Sequence, residues 1–360
     1  MKKILVLANN SGGVYDFRRE LIQAIMEREY QISVSSPDQD RINELKKMGC
    51  KIITTDMDRR GVNPLLDFEL VLKYRKLLRT ESPDLVITYT IKPNIYGGYV
   101  CRLLRIPYAT NITGLGTAFE NEGLLKKLVT TMYKVALRRA KVVFFENSAN
   151  KQIFVDLGIV KEGKTKVLNG AGINLERFQY MQYPPDGEAF KFLFIGRLMK
   201  EKGVDELFSA MKRLLSEGNK CSLMVLGRYE EGYEEQVKQY QNEGWLEYYG
   251  YQSDVRPYIA KAHCFVLPSY HEGMANTNLE CAASGRPVIT SNIPGCKEAV
   301  TEGSGLLCEP KNTDSLYKAM KKMISISRED REKMGVVGRK HMEDVFDKEK
   351  VVAETIKYLF

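Results

Sequence analysis

Histidine and tryptophan are nearly absent from this 360-residue chain, which has three of the first and one of the second. Its seven cysteines (Cys50, Cys101, Cys221, Cys264, Cys281, Cys296, Cys308) stand singly, with no C-x-x-C pair. That excludes a disulfide scaffold and predicts reduced core thiols. No histidine cluster has metal-ligand spacing, so no metal site is expected. No apolar run approaches the roughly 18 residues of a membrane span. The first strand begins straight after Met1-Lys2-Lys3, leaving no room for a signal peptide, and a cytoplasmic location is the expectation. Low-complexity segments and repeats are missing too. What is present is ordinary globular composition, 44% hydrophobic and 28% charged. The 54 Lys+Arg against 46 Asp+Glu give a net charge of +8, which suits an anionic partner without choosing one. Basic patches interleaved with aromatics do not form any nucleic-acid-binding signature, which argues against nucleic acid.

Short apolar runs alternate with helical patterns along most of the chain. Ile4–Ala8 is continuous apolar, as in a strand buried on both faces, and a helix over about 14–28 follows it. Further strands are predicted at 32–35, 51–55, 85–88, 108–112 and 142–145, with helices over 38–48, 65–79, 94–105 and 124–139. Such alternation means α/β architecture with parallel sheets and right-handed crossovers. Near 179–188 the text QYMQYPPDGE breaks every periodicity. The pattern then restarts with strands at 192–195, 222–226, 246–249, 265–267 and 288–290 and helices over 204–217 and 230–242. Two doubly wound domains are expected, at 1–170 and 190–345, with a linker at 171–189. A terminal helix in 346–360 is expected to pack back on the first domain. Ligands of open α/β sheets bind at the carboxyl ends of the strands.

The stretch Ser269–Pro287 is the most informative. It follows a strand, and Asn276 or Thr277 is placed to cap a helix ending near Gly285. The amino end of that helix is an anion site. Glu272 in the loop and Glu280 in the helix can accept hydroxyl hydrogen bonds, although each read alone is equally an ordinary solvated carboxylate. Arg197 and Lys202 follow the strand that ends at Gly196, where a guanidinium fork and an ammonium suit a diphosphate. The pair Gly12-Gly13, right after the first strand, allows close backbone approach to a phosphate or sugar but is not a G-x-G-x-x-G motif.

In order along the chain, NGAGINLERF (169–178), GRLMKEKG (196–203), EGMANTNLE (272–280), ASGRPVITSNIPGCKEAV (283–300) and GSGLLCEPKNTDSL (303–316) resemble glycosyltransferase family 4. The resemblance covers nearly the whole chain. It implies a GT-B fold, two Rossmann-like domains facing a cleft, and retaining transfer from a UDP-sugar without a metal or other cofactor. It implies that Arg197 and Lys202 hold the donor diphosphate, that Glu280 holds the ribose and that Glu272 contacts the donor sugar. The backbone at Gly196, Gly273, Met274, Ala275 and Asn276 would cradle sugar and phosphate, with Gly12 and Gly13 facing the diphosphate. One departure concerns the histidine that many members carry after the strand at 85–88. Here Tyr89 and Thr90 stand there, and Lys92 is the only charged side chain of that loop.

TIKPNIYGG, NITGLGTAF and TSNIPGC resemble a bacterial branch that builds capsule, O-antigen or N-glycan saccharides on undecaprenyl diphosphate. That implies a saccharide acceptor on a lipid, peripheral contact with the inner face of the cell membrane, and an acceptor loop at Asn111–Phe119. Residues 124–139 carry Lys126, Lys127, Lys134, Arg138 and Arg139 and suit an anionic bilayer. The stripe Leu124, Leu128, Met132, Val135 equally suits core packing. Two other functions fit the same architecture, a UDP-sugar 2-epimerase and a catalytically silent nucleotide-sugar-binding subunit.

Overall fold

The computed structural model describes residues 2–38, 40–58, 63–116, 119, 123–185, 187 and 189–360. The chain divides into two compact units, one made of Met1–Ala171 with Lys348–Phe360 and the other of Gly172–Asp347. Of the segment expected to be a linker, 171–189, Ala171 thus falls in the first unit and 172–189 in the second.

The first unit runs β1 (Lys3–Leu7), α1 (Ser11–Met26), β2 (Gln31–Ser36), α2 (Ile42–Lys47), β3 (Lys51–Thr54), α3 (Pro64–Glu81) and β4 (Leu85–Tyr89). A π-helical turn (Pro93–Gly97), α4 (Gly98–Leu104), β5 (Tyr108–Ile112), α5 (Leu124–Leu137), β6 (Val142–Phe145), α6 (Ser148–Asp156) and β7 (Thr165–Val167) follow. Among the described residues its sheet has seven parallel strands in the order β3-β2-β1-β4-β5-β6-β7. Both sheet faces are covered, which is why the strands read as unbroken apolar text. Leu5, Leu7, Val86 and Val143 pack with Leu70, Tyr74 and Leu78 of α3 and Tyr133 and Leu137 of α5. On the opposite face Ile4, Val6 and Ile87 pack with Leu21, Ile22 and Ile25 of α1.

The second unit runs β8 (Phe190–Ile195), α7 (Val204–Ser216), β9 (Cys221–Leu226), α8 (Glu234–Asn242), β10 (Leu246–Tyr248), α9 (Arg256–Lys261) and β11 (Cys264–Leu267). It continues through α10 (Asn276–Ala283), β12 (Val288–Ser291), β13 (Gly305–Cys308), α11 (Thr313–Ser325) and α12 (Arg328–Val345). Its strand order is β10-β9-β8-β11-β12-β13, again parallel throughout. The last helix, α13 (Lys348–Leu359), belongs to the first unit, where Val351, Ile356 and Leu359 join the cluster on the α1 side.

Each sheet reverses its winding once, at β1/β4 in the first unit and β8/β11 in the second. These switch points open a crevice at the carboxyl ends of the two strands, and ligands of such folds bind there.

All seven cysteines are free and buried. Burial pushes the Cys50, Cys221 and Cys308 thiols up to about 11, so at pH 8 they are protonated and poor nucleophiles. The native protein is expected to leave all seven unlabelled by an aromatic disulfide reagent at pH 8 and to release seven equivalents in guanidinium chloride; rapid native labelling would contradict this packing.

Candidate active site

At the second switch point, β8 pairs directly with β11 through Cys264–Phe192 and Phe265–Leu193. The loops that leave these two strands therefore emerge side by side. One carries Gly196, Arg197 and Lys202, the other Ser269, Glu272 and the approach to α10. Gly203 shows how close they come: with φ +71°, a Cβ there would lie 2.2 Å from the Pro268 carbonyl oxygen. The Tyr270 N–H donates to the Glu201 carbonyl at 2.9 Å, fixing the two loops to each other.

This juxtaposition brings together residues 70 positions apart. The Lys202 ammonium donates to the Glu272 carboxylate, which also accepts from Ser269 Oγ at 2.8 Å. Both charged side chains are largely buried, 19% and 14% exposed, so the pair is weakly screened. Arg197 is exposed and lies 3.6 Å from Glu230, near enough to attract but too long for a good hydrogen bond.

Gly273, Met274 and Ala275 are buried and rest on the loop after β12, where the Ala275 N–H donates to the Gly295 carbonyl at 2.7 Å. Gly295 has φ +84°, and a Cβ there would sit 2.6 Å from the carbonyl oxygens of Glu272 and Gly273. The expected cap of α10 by Asn276 or Thr277 is corrected here. Ala275 holds the cap position, and no side chain caps the helix. Asn276 is the first helical residue, and its Oδ1 is buried without a hydrogen-bond partner. An uncapped amino end, with its dipole, favours an incoming anion. Glu280 lies one turn further along α10, half-buried, and its charge adds to the burial that raises the Cys281 thiol.

The first switch point departs from expectation. Helix α1 starts at Ser11, so Gly12 and Gly13 lie in its first turn rather than in an open loop. Asn10 caps that turn by accepting from the Gly13 N–H. The Asp38 carboxylate accepts from the Ser11 N–H at 2.7 Å, Ser11 Oγ at 2.6 Å and Asn10 Nδ2 at 2.6 Å. An internal carboxylate thus holds this amino end. Gly12 faces Asp40, whose Oδ2 a Cβ would approach to 2.4 Å.

Two Asp-x-Asp triplets, at 38–40 and 56–58, occur in the sequence. Among the described residues no three His, Cys, Asp or Glu side chains gather to hold a metal ion.

Around β4, Lys92 donates to Asp67 of α3 at 2.8 Å in a largely buried pair. Tyr89 is buried beneath the Arg18 guanidinium, 5.0 Å from its ring centre, and burial raises its phenol above the ordinary range. Arg18 also pairs with Glu146 at 2.7 Å, a contact no sequence motif signalled. Thr90 adopts φ +71°, a strained value for a β-branched residue. Of the expected acceptor loop, Asn111 and Ile112 belong to β5, while Thr117 and Ala118 lie outside the described residues.

Comparison with known proteins completes this picture. The family described as glycosyl transferases group 1 matches residues 177–341, and the one described as glycosyl transferase 4-like matches residues 3–147. The chain belongs to these glycosyltransferases. Among its relatives is the N,N'-diacetylbacillosaminyl-diphospho-undecaprenol alpha-1,3-N-acetylgalactosaminyltransferase of Campylobacter jejuni, 26% identical over 87% of each chain. Another is the capsular polysaccharide biosynthesis glycosyltransferase CapM of Staphylococcus aureus, 25% identical over 95% of this chain and 92% of that protein. A third is the UDP-Gal:alpha-D-GlcNAc-diphosphoundecaprenol alpha-1,3-galactosyltransferase of Escherichia coli, 28% identical over 72% and 71%. In structure, the transferase resembles Anabaena HepE in complex with UDP and glucose, with TM-score 0.82, 17% identity and coverage of 100% and 99%. A Rickettsia africae glycosyltransferase gives TM-score 0.79 at 18% identity, covering 99% and 97%. The transferase has the GT-B fold of these neighbours.

Proposed function

We propose that the transferase moves a hexose or N-acetylhexosamine from a UDP-sugar, with retention and without a metal ion, onto a saccharide carried by undecaprenyl diphosphate at the inner face of the cell membrane. The observation that carries the reading is the Lys202–Glu272–Ser269 group beside the uncapped amino end of α10. Lys202, Arg197 and that helix end place positive charge where a departing diphosphate grows negative, the role a metal plays elsewhere. Glu272 would exchange part of its contact with Lys202 for donor-sugar hydroxyls, and Glu280 would take the ribose.

In the step itself the bond from the sugar anomeric carbon to the diphosphate oxygen breaks. The acceptor hydroxyl oxygen bonds to the same face of that carbon, and its proton passes to the departing phosphate. UDP leaves with the electron pair. This route needs no protein base, which fits a β4 loop where Lys92 is already paired. The relatives in Campylobacter jejuni and Escherichia coli are named for alpha linkages to sugars on diphospho-undecaprenol, and the second for UDP-galactose.

The purified protein should be incubated in EDTA with UDP-sugars and short-chain prenyl-diphosphate-linked saccharides, and the product's anomeric coupling read by NMR. An alpha-linked product with stoichiometric UDP is expected. A beta linkage would refute retention, a strict need for divalent metal would refute metal independence, and an epimerised nucleotide sugar would refute transfer.

A further inference from the structure

The segment 283–300, which runs from the last residue of α10 through β12, supplies none of the residues assigned to the donor. Its final loop nevertheless carries the donor loop on its back. Gly295 is the centre of that contact. Its carbonyl accepts the Ala275 N–H, and its bare Cα lets the Glu272 and Gly273 carbonyls approach closer than a Cβ would allow. Where Gly295 sits, Glu272 and the cap position of α10 follow.

Gly295 is itself held by Glu298. The Glu298 carboxylate reaches back three residues, from a 3₁₀ turn at Lys297–Ala299, and accepts the Gly295 N–H at 2.8 Å. A bond of this kind to a carboxylate is stronger than one to a neutral oxygen. The backbone of Glu298 is fixed in turn from α12, where His341 Nε2–H donates to the Glu298 carbonyl at 2.8 Å. A carbonyl oxygen only accepts, so that nitrogen carries the proton. The His341 ring packs edge-on against Phe346, with 5.5 Å between ring centres. From α10, fully buried Asn278 donates to Thr290 Oγ1 at 3.0 Å and reaches the Cys296 carbonyl at 3.4 Å.

The position of Glu298 relative to the site is marked by Cys296. Burial raises that thiol most, Glu272 and Glu298 both raise it further, and Lys202 opposes them. Both carboxylates and the ammonium therefore surround one buried sulfur. A misplacement of about 1 Å at a reacting centre costs about a hundredfold in rate, even when its origin is remote from the chemistry. A side chain that sets where Glu272 stands is thus felt in turnover.

We infer that Glu298 is a positioning residue of the donor site: through the Gly295 backbone it holds Glu272 and the amino end of α10 in register with Lys202. For its catalytic consequence the inference rests on the donor reading of the proposed function.

Glu298→Ala, Glu298→Asp and Glu298→Gln separate the hydrogen bond from the charge. Glutamine keeps an oxygen in reach of the Gly295 N–H, aspartate keeps the charge but withdraws it by one methylene, and alanine keeps neither. Amide exchange read by mass spectrometry should quicken at least about tenfold in Glu298→Ala over 269–284 and 291–300, with β8 and β9 unchanged. With the UDP-sugar the parent uses, kcat should fall at least about tenfold in Glu298→Ala and Glu298→Asp and stay within about threefold of the parent in Glu298→Gln. UDP affinity by titration calorimetry should fall less than kcat, because Arg197, Lys202 and Glu280 keep their places. Should Glu298→Ala fail to fold, Glu298→Asp against Glu298→Gln carries the same comparison.

Parent-like exchange or parent-like kcat in both Glu298→Ala and Glu298→Asp would overturn the inference. Glu298→Gln as slow as Glu298→Ala would overturn it in favour of the charge alone. Faster exchange throughout the second unit, with kcat and UDP affinity lost equally, would overturn it in favour of a role in folding only. A parent that binds no uridine nucleotide would refute the donor reading, and the exchange comparison alone would then decide whether Glu298 holds this loop.

Discussion

Lys202→Met should lower kcat about 10²- to 10³-fold, with KM for the donor changing less than tenfold. The magnitude is that of removing one preorganised donor from a site where anionic charge develops. The ammonium is held by Glu272, itself fixed by Ser269, so its position is set before any donor arrives. A charge placed in advance costs no reorganisation during the reaction, and its attraction rises as the diphosphate departs. The change leaves the Glu272 carboxylate without its cation, so Glu272→Gln should be measured beside it. That variant keeps Lys202 and should retain far more turnover. Steady-state kinetics with the cognate UDP-sugar decide the matter: an unchanged kcat with a raised KM would show that Lys202 only binds ground-state donor.

Arg286→Met should destabilise the second unit by about 3–5 kcal/mol, the range for stripping the partner from buried polar groups around a charge. Arg286 is 1% exposed and lies just before β12. Its guanidinium donates to the carbonyls of Ile259 at 2.8 Å, Gln182 at 2.9 Å, Met181 at 3.0 Å and Ala260 and Gly285 at 3.2 Å. One side chain thus closes the end of α9, the turn after α10 and the 181–182 segment. Burial favours its neutral form, yet a guanidinium stays charged at neutral pH. A methionine fills similar volume but leaves these oxygens unpaired in a dry interior. Urea unfolding followed at Trp245, which lies in the same unit, reports the change. A midpoint within experimental scatter of the parent's would contradict the account.

Much of this architecture was legible because buried parallel strands write themselves as unbroken apolar runs, as at Ile4–Ala8 and Phe192–Ile195. The site motifs were legible for a related reason. Loops at a switch point must carry glycine and charge together, so Gly196–Gly203 and Glu272–Glu280 stand out against apolar flanks. Local cap chemistry was present but passed over. Asn10 before Ser11-Gly12-Gly13 marks the true start of α1, and Asn312 and Ser327 cap α11 and α12. Other features are not local at all. The Lys92–Asp67 and Arg18–Glu146 pairs and the carbonyl cage of Arg286 exist only once distant segments meet. The stripe on α5 was open to two readings for a different reason. Helical periodicity reveals that a helix has two faces, and here Tyr133, Ala136 and Leu137 face the core with Met132 beside them, while Leu124, Leu125, Leu128 and Val135 face out.

The central claim is that the α10 end of the second unit, with Arg197, Lys202 and Glu280, is a UDP-sugar site that works without metal. Thermal unfolding in EDTA, with UDP, GDP and a panel of UDP-hexoses, tests it most directly. A ligand at 100 times its Kd stabilises the native state by about 2.7 kcal/mol, a shift of several degrees. The account predicts that UDP and a UDP-sugar raise Tm in EDTA and that Glu280→Ala, which keeps the parent's own Tm, loses most of that rise. No response to any uridine nucleotide, or an equal response in Glu280→Ala, would contradict it.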